Sequence, residues 1–279
     1  MTQKTCYFCT TQPSLIIMRA ITDINELRNI QMDILQTVHD YCQSHGMTYF
    51  LSSGTLLGAV RHGGYIPWDD DIDIYMPRES YDRFVAAFPH DDTGHYALYD
   101  KSTIAHYYYT FAKVVDTRTL MVEDETAGFE IGVYIDVFPV DYVPEDEAER
   151  QRVFKRKHLL YKIRRCKISH VNPLYSRLAY WCYRALPVSV GKIEAMLRKL
   201  IVHDEPTSLV CNMSESGPKI SGCFPAAAIE QDVDIEFEGR TFKTMVGYKT
   251  YLEKTYGDYM TLPPVEQRVH HHFEAYWRE

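Results

Sequence analysis

The segment DDDIDIYM over residues 69–76 constrains this chain more than any other stretch. From Asp71 onward acid and apolar residues alternate: Asp71, Ile72, Asp73, Ile74. A period of two marks a strand with one buried face. On such a strand Asp71 and Asp73 project side by side while Ile72 and Ile74 enter the core. Two carboxylates that close, with Asp69 and Asp70 beside them, repel, and without a cation at least one takes up a proton. A divalent cation removes the conflict, and hard oxygen donors suit Mg2+ or Mn2+. A bare run of acids is more often a solvated loop. The apolar alternation and a glycine turn upstream argue against that here.

That turn is SSGTLLG, residues 52–58. A strand ending at Gly54, with Thr55 opening a helix, offers backbone N–H groups and a hydroxyl to an anion such as phosphate. Small residues at a strand–helix junction also arise for backbone reasons alone, so the order carries the argument: the cradle first, then paired acids on the next strand. Arg61 and His62 lie between the two and either add positive charge or sit on the surface of a helix end. A third carboxylate, Asp136, stands between Ile135 and Val137. An unpaired charge on an apolar strand is costly. Asp136 is therefore read as a metal ligand or general base, with a buried salt bridge as the alternative.

Helical spacing of Ile24, Leu27, Ile30, Ile34 and Val38 predicts a helix over 23–44, opened by an Asp23/Glu26 capping box and stopped at Gly46. A short strand at 48–52, a helix at 55–62 and a helix from Pro77 to about residue 88 follow. Further strands are expected at 107–115, 119–123 and 133–138. Residues 145–201 read as two or three helices, broken near Asn172 and Pro173 and again at Pro187. A hairpin over 233–242 turns at Glu238 and Gly239, and a helix starts near Tyr248. The order predicts an α/β (α+β) fold: a mixed sheet flanked by helices, with a helical insertion and a C-terminal hairpin-plus-helix segment. Residues 20–279 are expected to form one domain. Residues 1–19 are expected to be a dispensable leader, unless the true start is Met18.

A net charge of −8 excludes a general nucleic-acid binder. Residues 150–200 run the other way, with fourteen Lys or Arg against one acid, Glu194. They read either as solvated amphipathic helices or as a peripheral face for an anionic bilayer or a lipid-linked, phosphate-rich acceptor. Seven scattered cysteines imply no disulfide framework and fit a reducing cytoplasm. Cys6 and Cys9 lack a second pair at zinc spacing and read as unpaired thiols. No apolar run approaches the ~20 residues that span a bilayer.

Four separated motifs carry a resemblance. They are GTLLGAVR (54–61), IPWDDDIDI (66–74), YIDVFPVD (134–141) and the tail YGDYMTLPP (256–264) followed by HHH (270–272). Together they resemble the LicD family of phosphotransferases, relatives of fukutin and fukutin-related protein, from about Asp23 to Trp277. The resemblance implies a nucleotidyltransferase fold with a phosphate turn, an acid pair and a third acid. It implies transfer of a phosphate-linked small group from a CDP donor to a glycan hydroxyl. In bacterial members the group is typically phosphocholine, delivered to teichoic acid or lipopolysaccharide sugars; in the animal relatives it is ribitol phosphate. Carried over by position, Asp71 and Asp73 become metal ligands and Asp136 the third acid. Gly54 and Thr55 become the phosphate turn, with Arg61 beside it. Lys113 becomes a candidate pyrophosphate contact, or else a core lysine with a structural partner. The general base is either Asp136 or a histidine, and one of His270, His271 and His272 is a candidate to reach the site. Two other functions use the same residues differently: transfer of NMP from an NTP to a sugar phosphate or protein, and a non-catalytic scaffold that binds glycan or membrane.

Overall fold

The computed structural model describes residues 18–89, 94–122, 129–168, 177–203, 205–214, 222–268 and 273–278. Cys6, Cys9, the break expected at Asn172 and Pro173, and the three histidines 270–272 lie outside the described residues.

The first element among the described residues is a strand, β1 (Met18–Ile21), which starts inside the stretch expected to be a leader. Helix α1 (Ile24–His45) starts where the Asp23 side chain accepts from Asn25 N at 2.9 Å and stops at Gly46, whose φ of 59° is left-handed. The expected capping box closes only by half. Glu26 instead pairs with Arg19 at 2.7 Å and accepts from Trp277 Nε1 at 2.9 Å, because β1 and the last strand meet beside the start of α1.

Next come β2 (Phe50–Leu51), α2 (Ser53–His62), β3 (Asp73–Pro77), α3 (Arg78–Ala87), β4 (Tyr96–Tyr99), β5 (Ala112–Asp116), β6 (Thr119–Met121) and β7 (Tyr134–Tyr142). The insertion follows as α4 (Glu147–Ile168), α5 (Arg177–Ala185) and α6 (Val190–Ile201), then β8 (Leu209–Asn212) and β9 (Phe224–Pro225). The hairpin β10 (Asp232–Phe237) and β11 (Arg240–Met245), α7 (Tyr248–Tyr256) and β12 (Ala275–Arg278) complete it. The seven-stranded sheet has the order β2-β3-β7-β5-β4, with β8 joined to β7 and β9 to β8. Among the described residues only β3 and β7 run parallel within it. A separate three-stranded sheet has the order β1-β12-β6. The architecture is the mixed α/β one expected from sequence.

The strand pleat sends Ile72, Ile74, Ile135, Val137, Ala112 and Val114 into the core with no exposure, where the α1 stripe of Leu27, Ile34, Leu35 and Val38 covers them. The insertion has a smaller core of its own, built on Phe154, Tyr161, Ile193, Leu197 and Ile201. Three helices form it among the described residues, and Ser189 caps the third by accepting from Lys192 N just past Pro187.

Several strands are shorter than the alternation predicts. The acid strand enters at Asp73, not Asp71, and the strand expected from residue 107 enters at Ala112. Arg164 of α4 explains the second case. Its guanidinium donates to the carbonyls of Tyr107 (3.0 Å) and Tyr108 (2.8 Å), which occupies them off the ladder. The hairpin turns where expected, with Glu238 and Gly239 both at positive φ (52° and 71°), as a two-residue turn of this type requires. Its tip docks on the loop before the acids: Glu238 N donates to Gly63 O at 3.0 Å, and Glu238 Oε1 accepts from Tyr65 N at 2.9 Å. No helix among the described residues is long and apolar enough to cross a membrane.

Candidate active site

Three of the residues singled out from sequence form one row across the sheet. The parallel register of β3 and β7 sets Asp73 opposite Asp136, and the antiparallel register of β7 and β5 sets Asp136 opposite Lys113. Directly opposed residues share a face of the sheet, and their sequence neighbours fill the other face. Lys113 is 1% exposed. Its Nζ lies 2.7 Å from Asp136 Oδ1 and over the ring of Tyr134, 3.3 Å from its centroid, with Tyr109 at 4.5 Å. The salt-bridge alternative for Asp136 and the structural-partner alternative for Lys113 are thus both realised, each by the other.

Asp73 feels the whole group. Burial pushes its carboxyl well above the ordinary aspartate range, and the charges of Asp71, Asp136 and Asp69 push it further, against a smaller opposing pull from Lys113. Asp71 lies just outside the strand, and Asp136 N donates to Ile72 O at 2.9 Å, which carries the pairing one residue beyond β3. Asp69, read from sequence only as a neighbour, belongs to the group. A Cβ on Gly54 would stand 2.5 Å from Asp69 Oδ2, so any larger residue there displaces that carboxylate.

The turn at 52–55 is tied to the acid strand by its own atoms. Ser52 N donates to Asp73 O at 3.0 Å, and Thr55 Oγ1 accepts from Asp73 N at 2.8 Å. Thr55 is buried, so its first task is to fasten the turn to Asp73. Ser53 is held at φ 48°, a strained value for a residue with a side chain. Ser52 sits at the N-cap of α2 but makes no capping bond; its hydroxyl is fully buried and without a hydrogen-bond partner. An orphaned hydroxyl at a helix N-terminus, where backbone N–H groups lack helical partners, fits a phosphate oxygen.

Sequence reasoning gave no role to four contributors, one of them, Tyr256, the first residue of the tail motif. Tyr251 accepts from Ser53 N at 3.2 Å, and Tyr256, at the other end of α7, has its hydroxyl pushed up by desolvation, then by Tyr251 and the charges of Asp73, Asp69 and Asp71, although 42% of the residue is exposed. Arg28 Nη2 donates to the carbonyls of Ile66 (3.1 Å), Pro67 (3.3 Å) and Asp69 (2.7 Å). Gln31 Nε2 donates to Asp70 O at 2.7 Å. Together Arg28 and Gln31 clamp the acid loop onto α1. The one local signal was Gln31, a polar residue inside an apolar stripe. Arg61 lies elsewhere, at the far end of α2, roughly 10 Å along the axis from Gly54. Its Nη1 donates to Tyr259 O at 2.9 Å and so holds the tail motif.

Among the described residues no three His, Cys, Asp or Glu side chains are already gathered at metal-binding spacing. The donor set nonetheless has the chemistry of a hard-cation site: four carboxylates, one of them resisting ionisation, against one ammonium. Asp71, Asp73 and Asp136 are the groups that would hold such an ion.

Residues 46–179 match the family description "LicD/FKTN/FKRP, nucleotidyltransferase domain", a span that includes every sequence-derived site residue from Gly54 to Asp136. The chain is 32% identical to the lipopolysaccharide cholinephosphotransferase LicD of Haemophilus influenzae over 271 residues, covering 93% of this chain and 99% of that protein. It is 27% identical over 140 residues to an uncharacterised protein of Rickettsia prowazekii, covering 50% of this chain and 47% of that one. A shorter match, 53% over 32 residues, joins it to human ribitol 5-phosphate transferase FKRP, covering 12% of this chain and 6% of that protein. With 32% identity to a relative matched over nearly its whole length, the chain belongs to the LicD family of phosphotransferases.

Proposed function

We propose that this protein moves a phosphate-linked small alcohol, phosphocholine or a similar group, from a CDP-activated donor to a hydroxyl of a cell-surface glycan, with Mg2+ or Mn2+ as cofactor. The observation that carries the reading is the row Asp73, Asp136 and Lys113, set beside an α2 N-terminus whose Ser52 hydroxyl is buried without a partner. Its near full-length similarity to a lipopolysaccharide cholinephosphotransferase supports the choice of group and acceptor.

A divalent ion held by Asp71, Asp73 and Asp136 would neutralise charge on the donor's pyrophosphate and the departing CMP. The chain's own residues do the rest. Ser52 and the first turn of α2 hold the phosphate for in-line attack. Asp136, oriented by Lys113, accepts the proton of the acceptor hydroxyl. A bond forms from the acceptor oxygen to phosphorus, the bond to CMP breaks, and CMP leaves with its electron pair. The acceptor is a lipopolysaccharide, teichoic acid or capsule glycan, lipid-linked or free, met at the cytoplasmic side of the membrane.

Incubation with Mg2+ and a panel of CDP-alcohols, with candidate glycan acceptors, tests this through CMP release. CMP released from at least one CDP-alcohol is the expected result. Pyrophosphate release from an NTP, with every CDP-alcohol intact, would shift the reading to NMP transfer. Absence of any turnover by the metal-loaded protein would favour a binding scaffold.

A further inference from the structure

Helix α5 is amphipathic with its apolar side turned outward. Its inward side is fully engaged: Tyr180 is buried, Arg184 Nη1 donates to Cys166 O and to Tyr180 Oη, each at 3.1 Å, and Lys167 Nζ donates to the carbonyls of Arg184 (3.1 Å) and Leu186 (2.8 Å). These bonds fix the helix against α4 without help from its outer surface. That outer surface carries Leu178, Trp181, Cys182 and Ala185, all exposed, at the i, i+3, i+4, i+7 spacing of one helical stripe. Leu178 is 76% and Trp181 63% exposed, and Leu186 extends the stripe. A water-facing helix normally places polar residues there. A contiguous exposed apolar stripe marks a contact surface.

The charge of the insertion identifies the partner. Lys155 and Arg156 of α4, the helix that α5 packs on, and Lys192 and Lys199 of α6 are exposed elsewhere on the insertion, and the whole stretch 150–200 holds fourteen basic residues against one acid. A second copy of this surface would bring like charges together. An anionic bilayer offers both an apolar interior for Leu178 and Trp181 and phosphates for the basic residues. We propose that α5 is an interfacial helix that seats the protein on an anionic lipid surface through Leu178 and Trp181, with the basic charge of the insertion drawing it to the headgroups.

The test uses the full chain with no donor or acceptor, so its outcome is independent of the transfer reaction. Vesicles of phosphatidylethanolamine with phosphatidylglycerol are compared with vesicles of phosphatidylcholine by co-sedimentation and tryptophan emission. The protein is expected to pellet with the anionic vesicles only, less so at high salt, with a blue-shifted emission that is lost in Trp181→Ser. The double variant Leu178→Ser/Trp181→Ser should lower partitioning by at least about tenfold at an unchanged melting temperature, and Leu178→Glu alone should act in the same direction. Absence of binding to anionic vesicles overturns the proposal. So does equal binding by the double variant, or a concentration-dependent dimer that the double variant abolishes.

Discussion

Asp73 keeps its carboxylate where burial and three neighbouring acids oppose its charge. A carboxyl whose folded pKa is raised adds stability below its unfolded value, and that contribution is lost as pH rises through the folded pKa. In chelator, the wild type should therefore lose stability from acidic toward neutral pH more steeply than Asp73→Asn. Near neutral pH the variant should be more stable by on the order of 1 kcal/mol, yet inactive. Thermal melts across pH, with turnover measured in parallel, check this; identical pH slopes would contradict it. Gly54→Ala should lower kcat/KM by about a hundredfold with the fold retained, because the added Cβ displaces the Asp69 carboxylate; activity assays and circular dichroism read the two effects separately. Asp71, Asp73, Asp136 and Gly54 were legible in the chain because local alternation and a turn mark them. What faces them was not. The contact between Ser53 and Tyr251 joins residues 198 apart, and Lys113, singled out only through the family resemblance, reaches Asp136 from a strand 23 residues upstream. No local pattern announces either.

Elements with strong local signals form close to where the spacing puts them: α1 between Asp23 and Gly46, the β10–β11 hairpin at Glu238 and Gly239, and α7 from Tyr248. Elements that exist only through partners were illegible. β9 is two residues long, and β1 and β12 are each held by pairing the chain's two ends. The acid loop shows how one element serves another, since α1 holds its carbonyls through Arg28 and Gln31. Arg28→Ala should cost about 1–2 kcal/mol in stability, and it should raise the Mg2+ concentration needed for half-maximal CMP release. Arg28→Lys, with a single donor group in place of a fork, should restore stability more fully than metal dependence. Melting curves and Mg2+ titrations distinguish this positioning role from a purely structural one, in which stability and metal dependence would recover together.

Taken as a whole molecule, the protein combines a sheet carrying the acidic candidate site with a basic helical insertion that has its own core. Pattern reading found that division through charge and periodicity, whereas the outward apolar stripe of α5 needed the three-dimensional packing to tell its two sides apart. If the sheet holds a divalent ion, folding and metal binding are linked. Mg2+ with donor, at about a hundredfold excess over its dissociation constant, should stabilise the wild type by about 2.7 kcal/mol and leave Asp73→Asn unchanged. The central claim, that Asp71, Asp73 and Asp136 hold a metal against the donor's pyrophosphate, is tested most directly with Mn2+. Electron paramagnetic resonance should show the free Mn2+ signal disappearing in stoichiometric amounts when wild-type protein and CDP-choline are present. The same experiment on Asp73→Asn should leave that signal as it is with CDP-choline alone. Equal Mn2+ uptake by both proteins, or none by either with any CDP-alcohol that releases CMP, would contradict the account.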